Sequence, residues 1–142
     1  MGKAPAVRAD DYLLRRIHPN EVYRSPDGGS SRPFASSFKS PHRGDPLSVY
    51  VQRLLEAAGL DARALLVGHE SYRVVGVTMT AVRDLGLDVQ LDPDPDDEVV
   101  GRGEAHAVVV GTINKSRQNT LAKSCDPVIW EPTTDVGSAA AS

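Results

Sequence analysis

The sequence predicts an α+β domain, with a mixed, mainly antiparallel sheet and two or three short helices. Three observations carry this expectation. Strand-like segments rich in Val, Ile and Tyr recur along the chain, the helical patterns are short and come late, and turn residues separate the two kinds of segment.

Residues 1–10 read as a flexible arm. Tyr12–His18 (YLLRRIH) reads as a first strand that Pro19 ends, because proline lacks the N–H a ladder needs. Residues 21–24 read as a short second strand, and 25–31 (SPDGGSS) as a turn. Residues 32–39 (RPFASSFK) read as an edge strand with Phe34, Ser36 and Phe38 on one face. Leu47–Tyr50 follows as a strand. Val51, Leu54, Leu55 and Ala58 then fall at i, i+3, i+4 and i+7, which predicts a helix closed by Gly59. A helical turn is expected at 61–66.

Residues 71–79 (SYRVVGVTM) form the clearest central strand, since β-branched side chains suit a pleated surface. A helix over 80–85 ends at Gly86, a strand covers 87–91, and residues 92–104 form an acidic loop with two prolines. Residues 105–113 (AHAVVVGTI) read as a second buried strand, 114–125 as a helix and 128–131 as a last strand. The order is therefore β-β-β-β-α-β-α-β-β-α-β. The helices are expected on one face of the sheet. The unbroken runs at Val74, Val75, Val77 and Val108, Val109, Val110 also predict that the sheet centre is covered on both faces. Residues 11–132 make one domain, and 133–142 read as a flexible tail.

The 142 residues are enough for one core, and 25% charged residues are ordinary for a globular chain. A net charge of −3 argues against a whole-chain grip on double-stranded DNA. Residues 1–43 nevertheless hold eight Lys/Arg against four Asp/Glu, which leaves a net of −7 for the rest. This asymmetry fits a basic site on an acidic body, or simply a solvated surface. The first residues contain no apolar signal region, no apolar run is long enough for a bilayer, and the one cysteine, Cys125, permits no internal disulfide. These points read as a cytoplasmic protein. Twelve Arg against four Lys read as a GC-rich bacterial genome.

Four segments hold candidate chemistry. Arg32, Ser36 and Ser37 combine a guanidinium with two hydroxyls, which suits a phosphate or carboxylate; an edge strand with its phenylalanines in the core is the alternative. His69 and His106 stand at strand ends, where a neutral imidazole can serve as a general base, and His69 or Glu70 is expected to hold the second ring nitrogen of His106. Lys115 and Arg117 lie in a strand-to-helix turn that Asn114 or Thr112 can cap, though without a phosphate-loop pattern. Arg15 and Arg16 bring two cations to the first strand. The acidic loop lacks the ligand spacing of a calcium loop, and the four histidines form no helical metal pair, so neither a metal nor a cofactor is expected. Cys125 reads as a small buried hydrophobe.

The segments LLRRIHP, RPFASSFK and LSVY, with AHAVVVG near the end, resemble a set of small bacterial proteins. Those proteins carry an Arg-Pro-x-Ser-Ser-x-Phe stretch after an opening strand that ends near Arg-Ile-x-Pro. In this chain Ser36 and Ser37 fall one position later than in that pattern. The resemblance implies a shared fold and points to no particular activity. A second resemblance is to ADP-ribosyltransferases of the Arg–Ser–Glu type, through Arg15 or Arg16, Ser36–Ser37 and Glu131 in that order. Only about twenty residues separate the arginine from the serines, too few for the helices that family places there.

Two readings result. The first is an interaction or binding module, a candidate partner of a larger protein. The second is an enzyme or binding domain for a phosphate-bearing ligand, a nucleotide or RNA, that joins Arg15, Arg16, Arg32, Ser36, Ser37, His69, His106 and Lys115. Neither reading calls for a membrane.

Overall fold

A computed structural model describes residues 7–18, 22–23, 32–33, 38 and 47–129. Most of the expected arm and all of the expected tail lie outside these residues. Val7, at the described end of the arm, packs against the core.

The fold is α+β. Eight strands are described: β1 (Tyr12–Ile17), β2 (Val22–Tyr23), β3 (Arg32–Pro33), β4 (Leu47–Val51), β5 (Arg73–Thr78), β6 (Asp88–Leu91), β7 (His106–Val110) and β8 (Asp126–Ile129). The helices are α1 (Gln52–Ala57), α2 (Met79–Asp84) and α3 (Lys115–Ser124), with 3-10 turns at Ala62–Leu66 and Gly103–Ala105. Their order along the chain is the one expected. Six strands form one sheet in the order β6-β7-β4-β1-β5-β8, and β2 pairs with β3 separately. Every pairing among the described strands is antiparallel.

Local chemistry explains the element ends. Gly59 and Gly86 follow α1 and α2 with φ of 78°, a left-handed turn that a side chain disfavours. Side-chain oxygens of Thr78, Asn114 and Asp61 accept from the backbone N–H groups of Ala81, Arg117 and Arg63 at the starts of α2, α3 and the first 3-10 turn. Gly76 is required by packing. A side chain there would strike the ring of Tyr12, whose hydroxyl donates to Asp126 across 3.2 Å. Burial, and then the neighbouring Asp126 carboxylate, push the Tyr12 phenol up to about 12.

Strand alternation sends Leu13 and Ile17 of β1 to one face, and Leu14 to the other. On the first face Val49, Val51, Val75, Val77, Ala107 and Val109 pack under α2 and α3 through Met79, Val82, Leu121 and Ala122. On the second, Leu14, Tyr50 and Val74 pack under Leu55 of α1 and the 62–66 turn. Helical segments therefore cover both faces rather than one. Cover on the second face is incomplete, however. Val74, Val75, Val77 and Val109 are buried as expected, but Val108 and Val110 are half-exposed. The run of three valines in β7 alternates between a covered and a partly open side.

Candidate functional site

The partly open half of the second face carries a polar group of side chains. Antiparallel pairing sets Leu14 against Tyr50, and Tyr50 against His106. Alternation then gives Arg16 of β1 and Ser48 of β4 to the same face.

Tyr50 is the centre of this group. The Arg16 guanidinium carbon lies 5.5 Å from its ring centroid, and the His106 ring meets it edge-on at 5.4 Å. Arg16 donates from Nη1 to the carbonyl of Leu65 at 3.1 Å and from Nη2 to the Tyr50 hydroxyl at 3.5 Å. Among the described residues no carboxylate pairs with Arg16 directly. Asp97 feels its charge, but both Asp97 oxygens are engaged by Arg102 Nε, at 3.0 and 2.9 Å.

His106 is held at both ring nitrogens. Nδ1 lies 2.7 Å from the backbone carbonyl of Asp92, and Nε2 lies 3.1 Å from Ser48 Oγ. The carbonyl can only accept, so in the neutral ring Nδ1 carries the proton and Nε2 accepts from the serine hydroxyl. The Asp92 carboxylate is a further 3.6 Å neighbour of Nδ1, itself 62% exposed. His69 and Glu70 do not hold His106. Sequence reasoning nominated them because each precedes a strong strand, but cross-strand pairing selects Ser48 and the end of β6 instead.

His69 stands elsewhere on this side. Its ring meets Tyr72 edge-on at 5.1 Å, as His18 also does. Burial, then the charges of Arg16 and Arg102, lower its pKa below the ordinary 6.5, against a smaller pull from Glu70 and Glu98. Arg102 anchors the acidic loop. It is buried with Asp97, each side chain 6% exposed, and Nη1 donates to the carbonyls of Ala64 at 2.9 Å and Val67 at 3.1 Å. The loop is thus tied to the 62–66 turn by one guanidinium.

The other sequence candidates separate. Arg15 belongs to the first face, where its guanidinium lies 5.9 Å from the buried Phe38 ring and donates to the Ser48 carbonyl at 2.7 Å. Lys115 is exposed at the start of α3, which packs on the first face through Leu121 and Ala122. Beside it Arg117 turns back to the Thr112 carbonyl. Ser36, Ser37, Glu131 and the side chain of Arg32 lie outside the described residues. Cys125 is half-buried and donates its thiol to the Ala122 carbonyl at 3.3 Å, and burial pushes that thiol up to about 11. Among the described residues no group of three or more His, Cys, Asp or Glu side chains is placed to hold a metal ion, and no helix is long and apolar enough to cross a membrane.

The structure therefore brings Arg16 and His106 together through Tyr50 and Ser48, which sequence reasoning did not select. Ser48 is legible as a small polar residue in the strand LSVYV, on the same face as Tyr50. No family model, curated protein or solved structure matches this chain.

Proposed function

We propose that this chain is a binding module whose working surface is the Arg16–Ser48–Tyr50–His106 patch, and that this patch takes a phosphate-bearing group. The observation that carries the reading is Arg16. Its guanidinium is oriented by a carbonyl and a phenol, both neutral, and Asp97, a carboxylate that feels its charge, is committed to Arg102. A cation held in place but not neutralised is suited to an incoming anion, because a guanidinium offers several donors in a fixed plane. Ser48 and Tyr50 add hydroxyls on the same face.

Titration of 15N-labelled protein with inorganic phosphate and with adenosine monophosphate tests this. Saturable shifts at Arg16, Ser48 and Tyr50 are expected, weakening with added salt as exposed ion pairing does. Arg16→Gln should abolish the shifts, with a cooperative thermal transition confirming that the variant folds. Binding that survives Arg16→Gln unchanged overturns the assignment.

A further inference from the structure

We propose that Ser48 is a nucleophile activated by His106, acting on ester substrates. Three arranged groups support it. Ser48 Oγ is 3.1 Å from His106 Nε2, the imidazole proton is fixed on Nδ1 by the Asp92 carbonyl at 2.7 Å, and the Asp92 carboxylate stands 3.6 Å from the same nitrogen. A hydroxyl, a base within hydrogen-bond reach and a third group that orients the base are the parts an activated nucleophile needs. Access is present as well. Ser48 is half-buried rather than sealed, the His106 side chain is 16% exposed, and both lie on the incompletely covered face. A rigid antiparallel ladder supports the pair, since Ser48 and His106 sit diagonally across β4 and β7.

The step balances with water as the only co-reactant. Ser48 Oγ bonds to the acyl carbon as its proton passes to Nε2. The ester C–O bond breaks, and the leaving alkoxide takes that proton from Nε2. Water then gives a proton to Nε2 while its oxygen attacks the acyl carbon. The Oγ–C bond breaks, the carboxylic acid departs, and the proton returns to Oγ. A preference for esters that also carry an anionic group rests on the Arg16 reading above; the nucleophile itself does not.

Diisopropyl fluorophosphate, a neutral probe, separates the two. Its phosphorus bonds to an activated serine oxygen as fluoride leaves. In the native protein one diisopropylphosphoryl group is expected on the peptide that contains Ser48, and none there after denaturation. His106→Gln should slow labelling on the order of 100-fold or more, the contribution of a positioned base. Ser48→Ala should remove labelling at that peptide, with the melting temperature confirming that both variants fold. Native protein that is not labelled at Ser48, or is labelled equally fast after denaturation or in His106→Gln, overturns the proposal. Once labelling has assigned Ser48, hydrolysis of p-nitrophenyl acetate by the unlabelled protein is compared with that of mono-p-nitrophenyl succinate. Faster turnover of the anionic ester, lost in Arg16→Gln, supports both readings. Equal rates leave Ser48 as the nucleophile and count against Arg16 alone.

Discussion

The two faces of the six-stranded sheet are made by the same strands and are stabilised differently. The first face is closed by apolar contacts between strands and two helices, and of the described residues sixteen buried hydrophobics belong to its core. The second has eight, under one short helix and a 3-10 turn, and polar side chains complete it. Arg102 reaches across to two carbonyls and a buried carboxylate, and Arg16 reaches a carbonyl and a tyrosine. Apolar burial is non-directional and tolerates substitution by similar volumes. A polar network holds one geometry and loses much of its value when one member is removed. The second face is thus the one whose arrangement rests on directional bonds.

The largest expected effect breaks that network. Arg102→Ala leaves Asp97 charged and buried without its partner and strips donors from the Ala64 and Val67 carbonyls. Removal of one member of a buried pair costs about 3–5 kcal/mol. Urea unfolding of the variant should show a loss in this range, and a loss below about 1 kcal/mol would mean that the second face does not depend on its polar contacts.

A smaller effect contrasts the faces within one strand. Val109 is 5% exposed on the first face, whereas Val108 is half-exposed on the second. Val109→Ala should cost about 1–3 kcal/mol from lost burial and the space left behind, and Val108→Ala less than about 1 kcal/mol. Equal losses, measured by denaturant midpoints at constant slope, would place the second face under better cover than its exposure indicates.

These contrasts show which parts of the molecule were legible in the sequence. Element type and order followed from local rules: period-3.6 spacing in α1, β-branched content in β5 and glycines after α1 and α2. Local rules act over a few residues and need no tertiary partner. The burial of Val108 and Val110 was misread because β-branched content reports strand propensity, and the same residues serve a strand covered on one side or on two. The site was legible only in part. His106 was selected from its place at a strand start, but its partners come from residues 14 and 58 positions away, Asp92 and Ser48. Strand order in the sheet sets those contacts, and an antiparallel pairing of β4 with β7 leaves no mark in either segment. Arg15 and Arg16 were grouped together as neighbours, yet period-2 alternation alone divides them between faces.

Acid should act on two ion pairs by the same route, Asp11 with Arg53 and Asp97 with Arg102. Burial raises the carboxyl of Asp11, but hydrogen bonds from Arg53 and the Arg8 N–H outweigh it and hold the group below 3.8. In Asp97, burial is likewise outweighed by Arg102 and the Val99 N–H. A folded pKa below the unfolded one contributes stability that is present above the unfolded value and lost as pH falls through the folded one. Stability measured by urea unfolding should therefore decline below about pH 4. Asp11→Asn should flatten part of that decline, and an unchanged acid profile in this variant would remove Asp11 from the account.

The smallest effect reads the field of the second face. His69 is held below 6.5 first by burial and then by the positive charges of Arg16 and Arg102. A histidine depressed in the folded state makes stability rise with pH between its folded value and 6.5, since only the unfolded chain binds the proton there. Arg16→Gln removes one of the two cations and leaves the burial unchanged. The His69 ring resonances, followed by NMR across pH, should then titrate closer to 6.5. Saturating phosphate should move the wild-type titration in the same direction, because an anion seated on Arg16 offsets the same charge. In Arg16→Gln, phosphate should have no such effect. If phosphate raises the His69 value equally in both proteins, the anion does not sit on Arg16, and the open half of the second face requires a different occupant.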